Sequence, residues 1–148
     1  MAQETVQAFM PPNEMIEMFT LKVVSDQSIE KIAQHVPAEC EKNKFALLHS
    51  YNYHEILESK GFPIKRKVFI YEICQAKLAS KMLTTHPGFS IFMPCKIAIY
   101  EKEGKTIIST MNMEMMLKSV QDNEELYNEA IALFNTLNSL MASLKNIE

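Results

Sequence analysis

PCKIAIYEKEGKTIISTMN, residues 94–112, reads as a β-hairpin and settles what kind of sheet the chain can form. From Cys95 to Lys102 apolar and polar side chains alternate, the two-residue period of a half-buried strand. Glu103-Gly104 then interrupts the run, and an aliphatic return segment follows from Thr106. Glycine supplies the positive φ that a two-residue hairpin loop demands. A loop at Glu103-Gly104 sets Ile99 opposite Ile108 and brings Cys95 close to Asn112. Such a hairpin argues against a purely parallel sheet, because parallel neighbours need a long crossover.

Upstream of the hairpin, KVFIYEIC (residues 67–74) is apolar on both faces and reads as a central strand. FALLHSYN (45–52) alternates, with Phe45, Leu47, His49 and Tyr51 expected on one face. MFTLKVVS (18–25) makes a first strand. Between them, Ile29, Ile32, Ala33 and Val36 have helical spacing behind a cap at Ser25 or Asp26. Pro37 ends or kinks that helix. A short helix over residues 53–61 closes at Gly61, the residue type that most often follows a helix C-terminus. Ala79, Met82, Leu83 and His86 recur at helical spacing before a His-Pro-Gly turn. Asp122 with Glu125 resembles a capping box. It opens a long final helix whose stripe runs through Leu126, Ala130, Leu133, Phe134, Leu137, Leu140, Met141 and Leu144.

This order implies an α+β fold: a mixed or antiparallel sheet of about five strands with helices on one face and a long C-terminal helix. A three-strand parallel core with two crossovers also satisfies the first part of the pattern. Residues 1–15 are expected to form an N-terminal arm or tail, with Pro11-Pro12 extended and blocking helix, and residues 16–148 a single domain. The length suffices for one domain with a sizeable core.

Composition removes several function classes. A net charge of −3 with only one basic run, Lys65-Arg66-Lys67, is unsuited to a phosphate backbone, so no nucleic-acid partner is expected. No run reaches the roughly 18 apolar residues of a membrane span. The N-terminus has neither the basic start nor the apolar core of a secretory signal, although a leader removed beforehand is compatible with the sequence. Three cysteines make no disulfide framework and suggest reduced thiols and a cytoplasmic location. With only three glycines, nucleotide-cradling loops are effectively ruled out. No established catalytic motif is present, which favours a non-enzymatic role.

Chemistry-bearing residues remain. Cys74 ends a strand and precedes a helix, whose N-terminus can lower a thiol pKa. Cys95 follows Pro94, which cannot donate to a ladder. Each is equally at home as a small buried hydrophobe. His49, His54, His86 and Met93 are possible haem or metal ligands, although His49 and His54 do not share a helix face. Eleven methionines are an excess, and MNMEMM (111–116) brings Met111, Met113, Met115 and Met116 together. Clustered thioethers suit copper(I). The spacing of Met113, Met116 and Leu117 is also that of one helix face packed in a core.

The ordered series FIYEIC, AKLASKML and PGFSIFMPCKIAIYEKEGKTIIST, followed by a helical C-terminus, resembles the bacterial and archaeal family called domain of unknown function 302. Met93-Pro94-Cys95 stands for that family's Leu-Pro-Cys element. The likeness is good over residues 43–120 and looser before them. One departure is Cys74-Gln75-Ala76, where the family often has Cys-Asn-Pro. The resemblance implies a small α+β fold and a homodimer, and assigns no catalytic activity.

Three functional expectations follow. The first is a binding or accessory module holding haem, a soft metal or another hydrophobic cofactor in a cleft between sheet and helix, with copper as the metal variant. The second is a thiol-based redox or sulfur-carrier protein using Cys95. The third is a dimeric interaction domain built on the C-terminal helix.

Overall fold

The computed structural model describes residues 11–148. The arm expected over residues 1–15 lies outside the described residues as far as residue 10. Beyond it, Pro11 is extended but Pro12 opens a helix, α1 (Pro12–Phe19), contrary to the expected block. Proline at the first helical position lacks an N–H that would have had no partner there. The amides of Glu14 and Met15 donate to the Pro11 carbonyl.

The remaining elements are β1 (Thr20–Ser25), α2 (Ile29–Lys42), β2 (Ala46–Asn52), α3 (Tyr53–Ser59), β3 (Val68–Cys74), α4 (Ala76–Thr85), a 3-10 segment (Pro87–Phe92), β4 (Cys95–Lys102), β5 (Lys105–Met111), α5 (Glu114–Leu117) with a 3-10 turn after it (Lys118–Val120), and α6 (Glu124–Lys145). The strands form one five-stranded sheet in the order β1-β5-β4-β3-β2. Every pairing is antiparallel. Of the two sheet types compatible with the sequence, the structure has the antiparallel one, with β3 and β4 inside it.

The hairpin takes the expected register. Ile99 faces Ile108 and Lys102 faces Lys105. Glu103 and Gly104 both adopt positive φ, 53° and 77°, as a type I′ turn requires. The β4–β5 ladder ends at Ala98, so Cys95 and Asn112 are not a paired position of it, and Cys95 lies opposite Ile73 on β3. The Asn112 amide instead donates to Phe19.

Strand β2 departs from simple alternation. Leu47 pairs with Ile73 but His49 pairs with Glu72, so Leu48 is an extra residue in a bulge. The bulge turns Phe45 and Leu47 inward and leaves His49 and Tyr51 on the opposite face, against the expectation that all four share one.

Helices α2 and α6 cover the inner sheet face. Ile73, Ile97, Ile99 and Ile108 are wholly buried there against Ile32, Val36, Leu140 and Leu144. Helix α2 is capped by Ser28, two or three residues later than expected, and runs through Pro37 without stopping. It ends in a Schellman motif, in which Phe45 N–H donates to Cys40 O and Lys44 N–H to Glu41 O. Helix α3 ends the same way around Gly61. Cys40, despite its place in a charged helix end, is a core residue.

At 22 residues, α6 is about 33 Å long and extends past the sheet. Its cap is Asn123, whose side chain accepts from the Leu126 amide. Asp122 does not cap it, one position away from the expectation. The overhanging half carries Leu126 and Ala130, which build a second core with Leu78, Met82, Phe89 and Leu117. Met113 and Met116 pack against that cluster, in keeping with their helical spacing to Leu117. Lys81 and Glu129 tie α4 to α6 through a 2.8 Å ion pair.

Candidate functional site

The two cores meet imperfectly. Leu133 packs against both, and beside it a cleft of about 630 Å³ opens between the end of the sheet and the overhanging helices. That volume lies within the usual range for small-molecule sites. Helix α4 contributes Leu78, Ala79 and Met82 to its wall, and α6 contributes Leu133, Phe134 and Leu137. The wall also includes Phe89 and Phe92 of the 3-10 segment, whose rings meet edge-on at 5.2 Å. Met93 and Pro94, joined by a cis peptide bond, turn the chain from this segment into β4.

Sequence explains this arrangement. One side of the wall is the α6 stripe: Leu137 meets the sheet core, whereas Leu133 and Phe134 fall where the sheet has ended and stay half-buried. Helix α4 is held by Gln75, whose side chain accepts from the Leu78 amide at 2.8 Å. Gln75 thus supplies the helix start. Leu78, not Leu83, is the buried partner of Met82; Leu83 is at the cleft mouth.

Both thiols singled out by the sequence line this cleft, together with Met93. Burial pushes the Cys95 thiol above its ordinary pKa, and the neighbouring Cys74 adds to the rise. Cys40 is separate: burial in the sheet core, then the Glu39 charge, raise it to about 11.

None of the candidate histidines lines the cleft. His49 is exposed on the outer sheet face, its ring 4.7 Å from that of Tyr51. His54 serves the fold, since the Val68 amide donates to its Nδ1 at 3.0 Å and so latches α3 to the start of β3. His86 caps the C-terminus of α4, with its amide donating to Met82. The bulge at Leu48 is one cause of this dispersal, and strand alternation alone carries no sign of it. Among the described residues no three of His, Cys, Asp and Glu gather to hold a metal ion.

Among the described residues that line the cleft, one is of a charged type, Lys96. Strand alternation sends its side chain to the outer sheet face with Glu72, while Thr20, Gln75, Ser109 and Thr110 are the uncharged polar residues of the lining. Among the described residues no carboxylate lines the cleft. Thr110 donates its hydroxyl to the Lys96 carbonyl at 2.6 Å, fixing the backbone there. Glu72, opposite Lys96 on β3, accepts instead from the Tyr51 hydroxyl at 2.6 Å. A second depression, beside the β4–β5 turn, is open and polar; of its charged residues Lys105 pairs with Asp26, and Glu30 pairs with Lys67 just outside the lining.

A profile of the family described as domain of unknown function DUF302 matches residues 21–144. The chain belongs to the DUF302 family. Among solved structures it is similar to that of an uncharacterized conserved DUF302 protein from Bacillus stearothermophilus, with a TM-score of 0.72 and 22% identity. The match covers 84% of this chain and 97% of that one. At that identity the likeness establishes the fold, and the DUF302 fold here is the α+β arrangement expected from the hairpin and the C-terminal helix. No curated protein matches the chain. No helix among the described residues is long and apolar enough to cross a membrane.

Proposed function

We propose that this DUF302 protein is a binding module that takes up a small hydrophobic molecule in the cleft between the sheet end and helices α4 and α6. The observation that carries the reading is the cleft itself: about 630 Å³, walled by Leu, Ile, Met and Phe side chains. Protein interiors are normally packed to the density of organic crystals, so an apolar hollow of this size costs contacts that a ligand restores. Its mouth is ringed by exposed apolar residues, among them Ile91, Leu48 and Met111. The test is titration with the neutral apolar dye N-phenyl-naphthylamine. Saturable, blue-shifted emission at one dye per chain supports the reading, and a linear, unsaturable response rejects it.

A second reading rests on sulfur. Cys74, Cys95, Met82, Met93, Met111 and Met113 all line the cleft, a donor set that suits a soft ion such as copper(I) and not a hard one. A haem in the same space would take thiolate or thioether ligands from Cys74, Cys95 or Met93, not His49, His54 or His86. Silver(I) and haemin titrations test the two versions. The raised Cys95 pKa weighs against a thiol carrier that needs a ready thiolate. Three free cysteines suit a reducing compartment such as the cytoplasm. In the same reading the apolar rim pairs two copies as a homodimer, which light scattering of purified protein checks.

A further inference from the structure

We propose that the loop joining α3 to β3, residues 60–67, is a membrane-surface anchor: Phe62 and Ile64 enter the interface of a bilayer carrying anionic lipid, and Lys65 and Arg66 pair with its headgroups. The proposal does not rest on the binding reading above. The loop leads into the start of β3, whereas the cleft lies at the other end of that strand, by Cys74.

The loop reads KGFPIKRK. Every residue from Glu58 to Lys67 is exposed, so the segment protrudes from the body of the domain. Phe62 is 74% exposed and Ile64 43%, with exposed Pro63 between them. Single exposed apolar residues are ordinary, but three in succession on one protrusion are not. The backbone holds them there. Gly61 has a φ of 88°, and the Phe62 amide donates to the Leu57 carbonyl at 2.9 Å, completing the Schellman motif after α3. A side chain at the Phe62 position of that motif commonly packs back onto the helix's last turn. Here the ring stays largely in water. At the far end the Lys67 amide donates to a Glu101 carboxylate oxygen at 2.9 Å, and the Lys67 ammonium pairs with Glu30. The loop is thus fastened at both ends while its apolar side chains point outward.

Charge decides the partner. Residues 60–67 carry Lys60, Lys65, Arg66 and Lys67 and no acid, in a chain whose net charge is −3. Four acids line the neighbouring depression, and three are engaged: Asp26 by Lys105, Glu30 by Lys67, and Glu101 by the Lys67 amide. The fourth, Glu103, lies in the β4–β5 turn next to Lys102. Lys65 and Arg66 enter no ion pair among the described residues. An anionic bilayer answers both halves of the loop, with an apolar boundary for Phe62 and Ile64 and a negative potential for the cations. A nucleic acid would use the charges but leave Ile64 in water, and a neutral bilayer would leave the cations without counter-charge. A flat surface also demands no concave fit from a protruding loop.

The experiment is cosedimentation of the full chain with phosphatidylcholine vesicles, pure or containing about 30% phosphatidylserine as the anionic lipid. Binding to the anionic vesicles should be at least about tenfold tighter than to the neutral ones, and the difference should shrink at high salt. Lys65→Gln and Arg66→Gln should each weaken it about fivefold. Phe62→Ser should weaken it about tenfold or more by removing the inserted ring. These side chains are exposed, so unfolding in urea should match the parent for each variant. Phe62→Trp supplies the chain's sole tryptophan, whose emission should shift to the blue on adding anionic vesicles. Absence of binding to either vesicle, equal binding to both, or binding undiminished in Phe62→Ser overturns the proposal, as does solvent-like emission from Phe62→Trp in the vesicle-bound protein.

Discussion

Replacing Ala79 with tryptophan tests the cleft from inside. Ala79 lies on α4, half-buried, with its side chain in the cleft wall. A buried tryptophan covers about 200 Å², and if half of that is surface a ligand would otherwise occupy, about 100 Å² of ligand contact is lost. At about 25 cal/mol per Å², the loss is about 2.5 kcal/mol, or roughly 70-fold in affinity. Folding should be nearly unaffected. The helix-propensity cost of about 0.5 kcal/mol is offset by burying the indole, so stability in urea should stay within about 1 kcal/mol of the parent. The chain contains no tryptophan, so the new indole is the sole reporter of its own surroundings. Blue-shifted emission, poor acrylamide quenching and loss of dye binding are expected together. Solvent-like emission with undiminished dye affinity would overturn this expectation, because the cleft would then not be where ligand and Ala79 meet.

Other outcomes follow from the packing. Leu140→Ala, at a fully buried site between α6 and the sheet, should destabilise by about 3–5 kcal/mol in urea unfolding. Lys44 holds φ at 64° in the cap after α2, so Lys44→Gly should stabilise by about 1 kcal/mol, whereas Gly61→Ala, at φ 88°, should destabilise by a similar amount. Cys40 has a folded pKa of about 11 against an ordinary 9.0, so its ionisation favours the unfolded chain. The stability it confers is complete below pH 9 and is lost as pH rises towards 11; Cys40→Ala should flatten that alkaline decline in a pH series of melting curves. Cys95 should react with iodoacetamide more slowly than free cysteine at about pH 7.5, and more slowly still with a ligand in the cleft.

Much of the fold is legible because its strongest signals are local. Glu103-Gly104 supplies both the turn and the register of β4 on β5, and the α6 stripe, from Leu126 to Leu144, needs only periodicity. What the sequence hides depends on contacts between distant elements. The Leu48 bulge reverses the face of His49 and Tyr51, yet nothing in an alternating strand marks which residue will be extra. The caps at Ser28 and Asn123 differ from the expected ones by one to three positions, since several neighbouring Asp, Asn and Ser residues compete for each role. Cys74, Cys95 and Met93 stand out chemically in the sequence, and they do share one cleft. The cleft wall is hidden, because Leu133 and Phe134 read like any other core positions of the stripe. Only the length of α6 against the width of the sheet leaves them half-covered.

The sharpest check on binding in the cleft is the methionine methyl spectrum of the isotopically labelled protein titrated with N-phenyl-naphthylamine. Met82, Met93, Met111 and Met113 line the cleft, Met141 is buried in the sheet core, and Met115 is exposed outside the lining. Saturable shifts are expected in the first four resonances, while those of Met115 and Met141 stay fixed. Shifts confined to Met115, or none at saturating dye, would be incompatible with a ligand held between the sheet end and α6.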